Sequence, residues 1–248
     1  MAASRFNFKR MPDPLEQDRF LQEHWKNSRF FLQRNDADYY ADLLSMADFD
    51  HIISSTNLRY PAFRLVKKDS HSLPHEHTKD IPRENNTLNG VADVEKVIAE
   101  YQNGGTIVLE ALQQSWTPLA MLCQNLETFL NHPAQANASW RQKMHKDSLH
   151  ATTPVTSSFS RLRAQSNGGF TIRPSNYLSK RQQYHPAVER LGSPLYQFDV
   201  TAVDVIYVPR GYIHEAATAE STSVHITVGI GSCTWVRVFA GGAQIDLR

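Results

Sequence analysis

One short segment, residues 204–214, constrains the fold of this chain more than any other. It reads Asp-Val-Ile-Tyr-Val-Pro-Arg-Gly-Tyr-Ile-His, so an apolar strand leads into a Pro-Arg-Gly turn and a second strand follows. The turn fixes the register of that second strand, which lets His214 point into a barrel. An isolated histidine is usually a core or surface residue, but the Pro-x-Gly-x-x-His context indicates a metal ligand, whose geometry a rigid strand preorganises.

Helical spacing dominates the first half of the chain, and strand patterns dominate the end. The pattern predicts helices over 15–25, 38–44, 48–53, 93–101 and 117–130. It predicts strands at 30–32, 63–66, 106–109, 203–208 and 223–230, a loose tail over 1–14 and a polar loop over 67–90. Residues 139–181 fit neither pattern, because aliphatic residues are sparse there and Asp147 is the one acidic residue. Helices followed by strands predict an α+β protein with a sandwich or barrel core.

Composition limits the class of protein further. A chain of 248 residues that is 41% hydrophobic suits one medium-sized domain. A formal net charge of +1 gives no global field that would favour direct nucleic-acid binding. Cys123 and Cys233 form neither a zinc pattern nor a disulfide framework, which favours a reducing compartment. With no signal peptide and no membrane span in the sequence, we expect a cytoplasmic protein without a membrane partner.

The last third of the chain resembles the JmjC-type cupin domain of ribosomal oxygenases. The similar residues are Phe198-Asp199, Asp204 to Tyr207, Pro209-Arg210-Gly211, His214 and Ser223 to Thr227. The N-terminal half is similar to the same family at Phe20 to Trp25, Phe30 to Arg34, Tyr39-Tyr40 and Leu43-Leu44. The resemblance covers roughly residues 15–138 and 182–235.

The resemblance implies a fold, an activity and a ligand set. The expected organisation is a flexible tail (1–14), an N-terminal helical region (15–92), a JmjC/cupin double-stranded β-helix (93–235) and a short C-terminal tail (236–248). Members of the family hold Fe(II) with a His-x-Asp pair and a distant histidine, which leaves positions for 2-oxoglutarate and oxygen. His214 matches the distant histidine, and Ser223 lies where the family contacts the cosubstrate. His225 either lines the pocket or is an ordinary strand histidine.

The other family ligands are incomplete in this sequence. Counting without gaps from Asn137 puts His150 at the first metal ligand, but Thr152 then occupies the aspartate position. The alternative His145-Lys146-Asp147 fits the short pattern but is offset and lacks the flanking residues. The lysine that anchors the cosubstrate is also missing, because Gln165 to Gly169 occupies its region. His75 and His77 lie in the predicted loop, where we expect them to be solvated.

A reading-frame change would explain the anomalous segment. Codons for residues 147–156, read in a shifted frame, permit Phe-Ala-Pro-Arg-Tyr-Asp-Thr-Arg-Asp-Val. The following codons permit Phe-Ile-Leu-Gln-Ile-Ala-Gly-Ser-Lys-Gln-Trp-Arg-Ile-Tyr, which is close to the family's ligand strand and lysine strand. We therefore hypothesise that residues 139–181 are translated out of frame between two compensating shifts. The alternative is a genuine divergent insertion.

Three functions are compatible with the sequence. The first is a Fe(II)- and 2-oxoglutarate-dependent oxygenase that hydroxylates a protein side chain, with a ribosomal protein as one candidate, and that is impaired as written. The second is a noncatalytic cupin-like binding protein or pseudoenzyme, which an incomplete His-x-Asp pair would favour. A sugar-isomerase-type or storage cupin is disfavoured because their dense His-x-His cluster is absent. The short C-terminus makes dimerisation by the family's usual route doubtful.

Overall fold

The computed structural model describes most of the chain, in several segments. These are residues 7–36, 38–66, 73–141, 151–152, 157–164, 168–174, 193–210, 212–218 and 222–231. Within them, residues 151–152, 157–164, 168, 173–174, 213 and 215–218 are described by their backbone alone.

Five helices and thirteen strands are present in the described residues. The helices are α1 (Gln17–Glu23), α2 (Met46–Ser55), α3 (Pro74–His77), α4 (Val94–Gln102) and α5 (Thr117–Leu130). The first five strands are β1 (Phe30–Leu32), β2 (Phe63–Val66), β3 (Thr78–Pro82), β4 (Thr87–Ala92) and β5 (Thr106–Leu109). The remaining strands are β6 (Ala134–Arg141), β7 (Ala151–Thr152), β8 (Ser157–Ala164), β9 (Gly168–Pro174), β10 (Tyr196–Val200), β11 (Asp204–Val208), β12 (Tyr212–Thr218) and β13 (Ser223–Ile230). Two short 3-10 turns lie at Phe8–Arg10 and Leu112–Gln114.

Strands β6 to β13 alternate between two facing sheets, except that the consecutive strands β9 and β10 pair with each other in the smaller sheet. The larger sheet has the order β1-β11-β8-β13-β6-β5-β2, and the smaller has the order β10-β9-β12-β7. The pairings within both sheets are antiparallel. This alternation is the double-stranded β-helix of a cupin, so the predicted cupin-type core is present. Strands β1, β2 and β5 extend the larger sheet on both sides.

Two apolar clusters hold these layers together. One face of the larger sheet packs against the helices, and strand β13 contributes Val224, Ile226 and Val228 to that cluster. The other face meets the smaller sheet. There Ile206 and Val208 of β11 pack with Phe170 and Ile172 of β9 and with Val200 of β10. Alternation along β11 sends its side chains to the two clusters in turn, as expected of a strand buried on both faces.

The first part of the N-terminal region differs from the sequence-based expectation in two places. Residues 7–14 are ordered in place of a loose tail, with Phe8 fully buried and its backbone N–H donating to Asn125 Oδ1 at 2.8 Å. Residues 38–43 form turns and no helix, because Tyr39 and Tyr40 both donate their hydroxyls to the Arg10 carbonyl. These contacts with a distant segment outweigh the local helical pattern.

The predicted loop over 67–90 contains regular structure in its described part. Helix α3 is followed by the hairpin of β3 and β4, whose turn is closed by the Arg83 N–H donating to the Asn86 carbonyl at 2.8 Å. Nine of the fifteen residues from Thr78 to Ala92 are exposed, which is why the sequence of the hairpin is polar. His77 is buried and packs on Phe63 with ring centroids 5.4 Å apart, so the expectation that it is solvated was wrong. The N-terminal region is therefore a mixture of helices and strands.

Segment 139–181 also forms strands where it is described. Its first residues complete β6, and its later residues form β7, β8 and β9. Strand β8 lies between β11 and β13, while β9 lies between β10 and β12. Phe170 and Ile172 are buried between the sheets. Both barrel sheets therefore use backbone from the segment that lacked a strand pattern.

Candidate functional site

Strand β12 holds His214 near the centre of the smaller sheet. Pro209, which ends the preceding strand, is buried, and the chain returns through the turn as β12 between β9 and β7. His214 lies directly opposite Ile172 of β9, and its ring stacks on Phe170 with centroids 5.4 Å apart. Since Phe170 and Ile172 belong to the cluster between the sheets, the imidazole faces the barrel interior. This is the orientation that the turn motif predicted.

The surroundings of His214 keep its imidazole neutral. Its Nδ1 atom is buried, and burial lowers the pKa of His214 to about 4. Desolvation disfavours the charged form of a base, so the ring is uncharged at neutral pH. A neutral imidazole is the form that coordinates a divalent metal.

The second strand of the candidate metal site is β7. Across the antiparallel pair of β7 and β12, Thr152 lies directly opposite His214. This is the position at which the ungapped count placed the family's carboxylate ligand. His150, His145 and Asp147 lie outside the described residues.

The described residues do not fit a complete iron site. Among them, no group of three or more His, Cys, Asp or Glu side chains could hold a metal ion. His214 offers one imidazole, while the residue opposite it is a threonine. A neutral hydroxyl does not supply the anionic oxygen that a facial triad requires.

A row of buried polar residues crosses the larger sheet. Thr106 of β5 lies opposite Arg141 of β6, and Arg141 lies opposite Ser223 of β13. These three residues are at most 4% exposed. The Arg141 Nε atom donates to Thr106 Oγ1 at 3.3 Å. Within the described part of the chain, the buried Ser223 Oγ atom has no hydrogen-bond partner.

Sequence reasoning selected Ser223 and missed Arg141. The signal is an alternation along β6. Polar residues alternate there with residues that belong to, or pack against, the apolar cluster between the larger sheet and the helices, namely Ala134, Ala136, Ala138 and Trp140. Continuing that alternation by one residue puts Arg141 on the opposite face. The rest of segment 139–181 has no strand pattern, which hides the continuation of this alternation. His225 is half-buried and lies two residues after Ser223, on the same face of β13.

A cavity is lined by residues of the smaller sheet and of the segment that precedes β1. Its volume is about 310 Å³, and its lining includes His24, Arg29, Ile172, Tyr196 and Tyr212. Ile172 is the direct register partner of His214. The Arg29 guanidinium lies 3.7 Å from the centre of the Tyr196 ring, which makes the rim both aromatic and cationic. The cavity therefore shares Ile172 with the neighbourhood of His214, and it is large enough for a side chain.

Comparison with known proteins finds similarity to one family. The JmjC domain family matches residues 167–238. Ribosomal oxygenase 1 of Gallus gallus is 26% identical over 235 residues, covering 89% of this chain and 36% of that protein. The crystal structure of the Escherichia coli ribosomal oxygenase YcfD superposes with a TM-score of 0.60 at 16% identity, covering 93% of this chain and 55% of that one. The predicted relationship to the JmjC ribosomal oxygenases is confirmed.

A further relative and a further solved structure agree with this result. The bifunctional lysine-specific demethylase and histidyl-hydroxylase NO66 of Culex quinquefasciatus is 24% identical over 230 residues, covering 86% of this chain and 32% of that protein. A structure of YcfD in complex with cobalt and 2-oxoglutarate has a TM-score of 0.61 at 15% identity, and covers 94% of this chain and 56% of that one. The chain spans about a third of the length of these two curated relatives. In the described residues, no helix is long and apolar enough to cross a membrane.

Proposed function

We propose that this chain derives from a Fe(II)- and 2-oxoglutarate-dependent oxygenase that hydroxylates a protein side chain, and that its metal centre is impaired as written. The observation that carries both parts is the pairing of His214 with Thr152 across two strands of a cupin barrel. His214 is a residue type that coordinates iron, and β12 directs it into the barrel. The threonine occupies the place where the family resemblance calls for a carboxylate.

The impairment has a physical cause. A facial triad combines two imidazoles with one carboxylate, whose negative charge offsets part of the charge of the divalent ion. Bound iron and 2-oxoglutarate supply the oxidising chemistry in such enzymes, and the protein supplies orientation and a dry pocket. A threonine at position 152 removes the negative charge while the barrel remains. Weak iron binding and loss of turnover are the expected consequences.

The substrate class follows from the cavity and from the relatives. The cavity that includes Ile172 has a volume of about 310 Å³ and a polar and aromatic lining, with His24, Arg29, Tyr196 and Tyr212. Such a surface suits one side chain presented by a protein. Two relatives are named as a ribosomal oxygenase and a histidyl-hydroxylase, so ribosomal-protein peptides that contain histidine are the first substrates to test.

The decisive experiment restores the missing carboxylate. Thr152→Asp would complete a His-x-Asp pair with His150, and register places it opposite His214. Metal affinity is measured with Mn(II) by electron paramagnetic resonance, and turnover by conversion of 2-oxoglutarate to succinate. We expect little metal binding by the chain as written and an affinity at least about tenfold higher for Thr152→Asp, since one anionic ligand is gained.

Two controls make the result specific. Thr128→Asp adds a carboxylate at an exposed position of α5 and should leave metal affinity unchanged. Adding His214→Ala to Thr152→Asp should remove the gain, because both ligands serve one ion. If Thr152→Asp gains no affinity that depends on His214, the oxygenase ancestry of this site is rejected. Iron-dependent turnover by the unmodified chain would contradict the proposal that its metal centre is impaired.

A noncatalytic cupin-like binding protein is the second candidate. The threonine opposite His214 favours it, because a barrel without a metal can still retain a small-molecule pocket. Saturable binding of 2-oxoglutarate without any turnover, even in Thr152→Asp, would support this alternative.

Sequencing of the gene and transcript across the codons for Ala138 to Gln182 tests the reading-frame hypothesis. We expect one base inserted or lost near each end of the segment. The reconstructed protein would then carry the aspartate and the lysine that this chain lacks. Reads that match the chain as written would favour a divergent insertion.

A further inference from the structure

A line of paired residues on the smaller sheet leads from His214 to the edge of the barrel. His214 of β12 pairs with Ile172 of β9, and Ile172 pairs with Tyr196 of β10. Directly paired residues share a face of a sheet, and Ile172 belongs to the cluster between the sheets. Since neighbouring strands lie about 4.8 Å apart, the line spans roughly 10 Å between the Cα atoms of His214 and Tyr196. Tyr196 therefore lies on the same face as the candidate metal ligand.

The Tyr196 end of this line is open to solvent. Strand β10 is an edge strand of the smaller sheet, and Tyr196 is 39% exposed. The cavity of about 310 Å³ is lined here by Ile172, Tyr196 and Tyr212 of the sheet and by residues from 24–29, the segment between α1 and β1. A side chain presented from solution can enter the cavity at this edge.

Arg29 brings a positive charge to the cavity. Its guanidinium lies 3.7 Å from the centre of the Tyr196 ring and 5.1 Å from the centre of the Phe198 ring. The Tyr196 and Phe198 rings are stacked, with their planes 15° apart. Packing on an aromatic face orients a guanidinium, whose N–H groups then point outward from its edge.

The described part of the chain does not neutralise this charge. Arg29 forms no ion pair with a described carboxylate, and its buried Nε atom has no hydrogen-bond partner among the described residues. Glu23 is the acidic residue nearest to it in sequence, and Glu23 pairs with Arg19 at 2.7 Å. The described residues that line the cavity include neither aspartate nor glutamate. An anion that enters the cavity therefore meets an uncompensated cation.

The backbone around Arg29 is held in place before any ligand binds. The His24 Nδ1–H donates to the Arg29 carbonyl at 3.1 Å, and the Ser28 N–H donates to the His24 carbonyl at 3.0 Å. Phe30, the next residue, is buried and begins β1, which pairs with β11. A group that is already positioned loses less conformational entropy when it binds a ligand.

We propose that Arg29 binds an acidic side chain of the protein substrate, at a position that flanks the residue to be hydroxylated. The inference rests on the proposed function, because it takes the neighbourhood of His214 as the place of reaction. A carboxylate matches the fork of the guanidinium and gains charge-assisted hydrogen bonds there. An extended peptide advances about 3.3 Å per residue, so a line of roughly 10 Å places the acidic residue about three positions from the target. Arg29 is thus a residue that determines specificity.

The test measures binding of the fluorescently labelled full chain to an array of short peptides. Each peptide has a central histidine in an alanine and glycine background, with Glu, Gln or Lys at each other position in turn. EDTA is present throughout, so the result does not depend on the metal centre. We expect Glu about three positions from the histidine, on one side of it, to bind about five- to tenfold better than Gln at the same position. Lys at that position should bind more weakly than Gln.

Variants of Arg29 show whether this preference depends on its charge. Arg29→Gln should remove the preference for Glu over Gln, and Arg29→Glu should transfer it to Lys. A purely structural role for Arg29 would not produce a preference that reverses with its charge. Near-UV circular dichroism checks the folding of each variant. If both variants are unfolded, Arg29→Lys carries the test, because it keeps the charge but loses the fork and should retain only part of the preference.

Arg59→Gln is the matched control, since Arg59 is exposed and lines a different cavity. This variant should keep the preference for Glu. Absence of the preference in the wild type, or its persistence in folded Arg29→Gln, overturns the subsite.

Peptides with a central alanine separate this inference from the proposed function. A preference for Glu that depends on Arg29 and persists in these peptides supports the subsite and counts against histidine as the target residue. Failure of Thr152→Asp to gain metal affinity leaves the result of the array intact.

Discussion

Asp204 holds the start of β11 in place, and its removal should destabilise the barrel. The carboxylate is 1% exposed and accepts three hydrogen bonds, from Thr201 N at 2.7 Å, Thr201 Oγ1 at 3.2 Å and Arg34 N at 3.0 Å. It therefore ties the turn between β10 and β11 to the chain that leaves β1. Strand β11 in turn leads to the turn that positions His214.

The size of the effect follows from these contacts. Each hydrogen bond contributes about 1 kcal/mol net, so Asp204→Ala should lower the free energy of unfolding by about 3 kcal/mol. For a chain of this size that corresponds to a fall in Tm of roughly 6–12 °C, at about 2–4 °C per kcal/mol. Asp204→Asn keeps one acceptor oxygen and should show about half the loss.

Differential scanning calorimetry of the metal-free protein measures the change. Asp50→Ala is the matched control, because Asp50 is an exposed aspartate on α2 and surface substitutions shift stability by about 0.5 kcal/mol or less. If Asp204→Ala and Asp50→Ala give the same Tm within about 2 °C, the reasoning from buried hydrogen bonds is refuted.

Three further predictions concern the core and the site. Phe8→Ala should lower the free energy of unfolding, measured in urea, by about 3–4 kcal/mol, because Phe8 is fully buried against Phe20 and Phe129. Phe129 is 38% exposed, so an equal loss of stability in Phe129→Ala would contradict this reasoning. The pKa of His214 is about 4 in the folded protein and about 6.5 for an unperturbed histidine, so the unfolded state binds the proton first as the pH falls. The metal-free chain should therefore lose stability between about pH 6.5 and 4. His214→Gln should flatten this part of the stability profile, and an unchanged profile would exclude His214 as its source. Burial raises the pKa of the Cys123 thiol to about 12. Iodoacetamide at pH 8 should therefore label the thiol far more slowly in the native than in the urea-unfolded protein. Equal labelling rates, measured by mass spectrometry, would show that the thiol is accessible in the native protein.

Local pattern was sufficient for much of the fold. Strands β11 and β12, the buried strand β5 and the helix α5 all have short-range signals in composition and spacing, and they occur where these signals predicted. The prediction failed where a distant partner decides the conformation. Residues 38–43 form turns because the Tyr39 and Tyr40 hydroxyls reach the Arg10 carbonyl, and the β3–β4 hairpin is polar because it is exposed.

The sequence by itself determined the family resemblance, the inward orientation of His214 and the absence of an aspartate at position 152. Tertiary structure alone decided that Thr152 lies opposite His214 and that Arg141 lies opposite Ser223. These pairs are separated by 62 and 82 residues in the chain. Periodicity reports which face of a strand a side chain occupies, but strand pairing between distant segments is fixed by the packing of both sheets around one core.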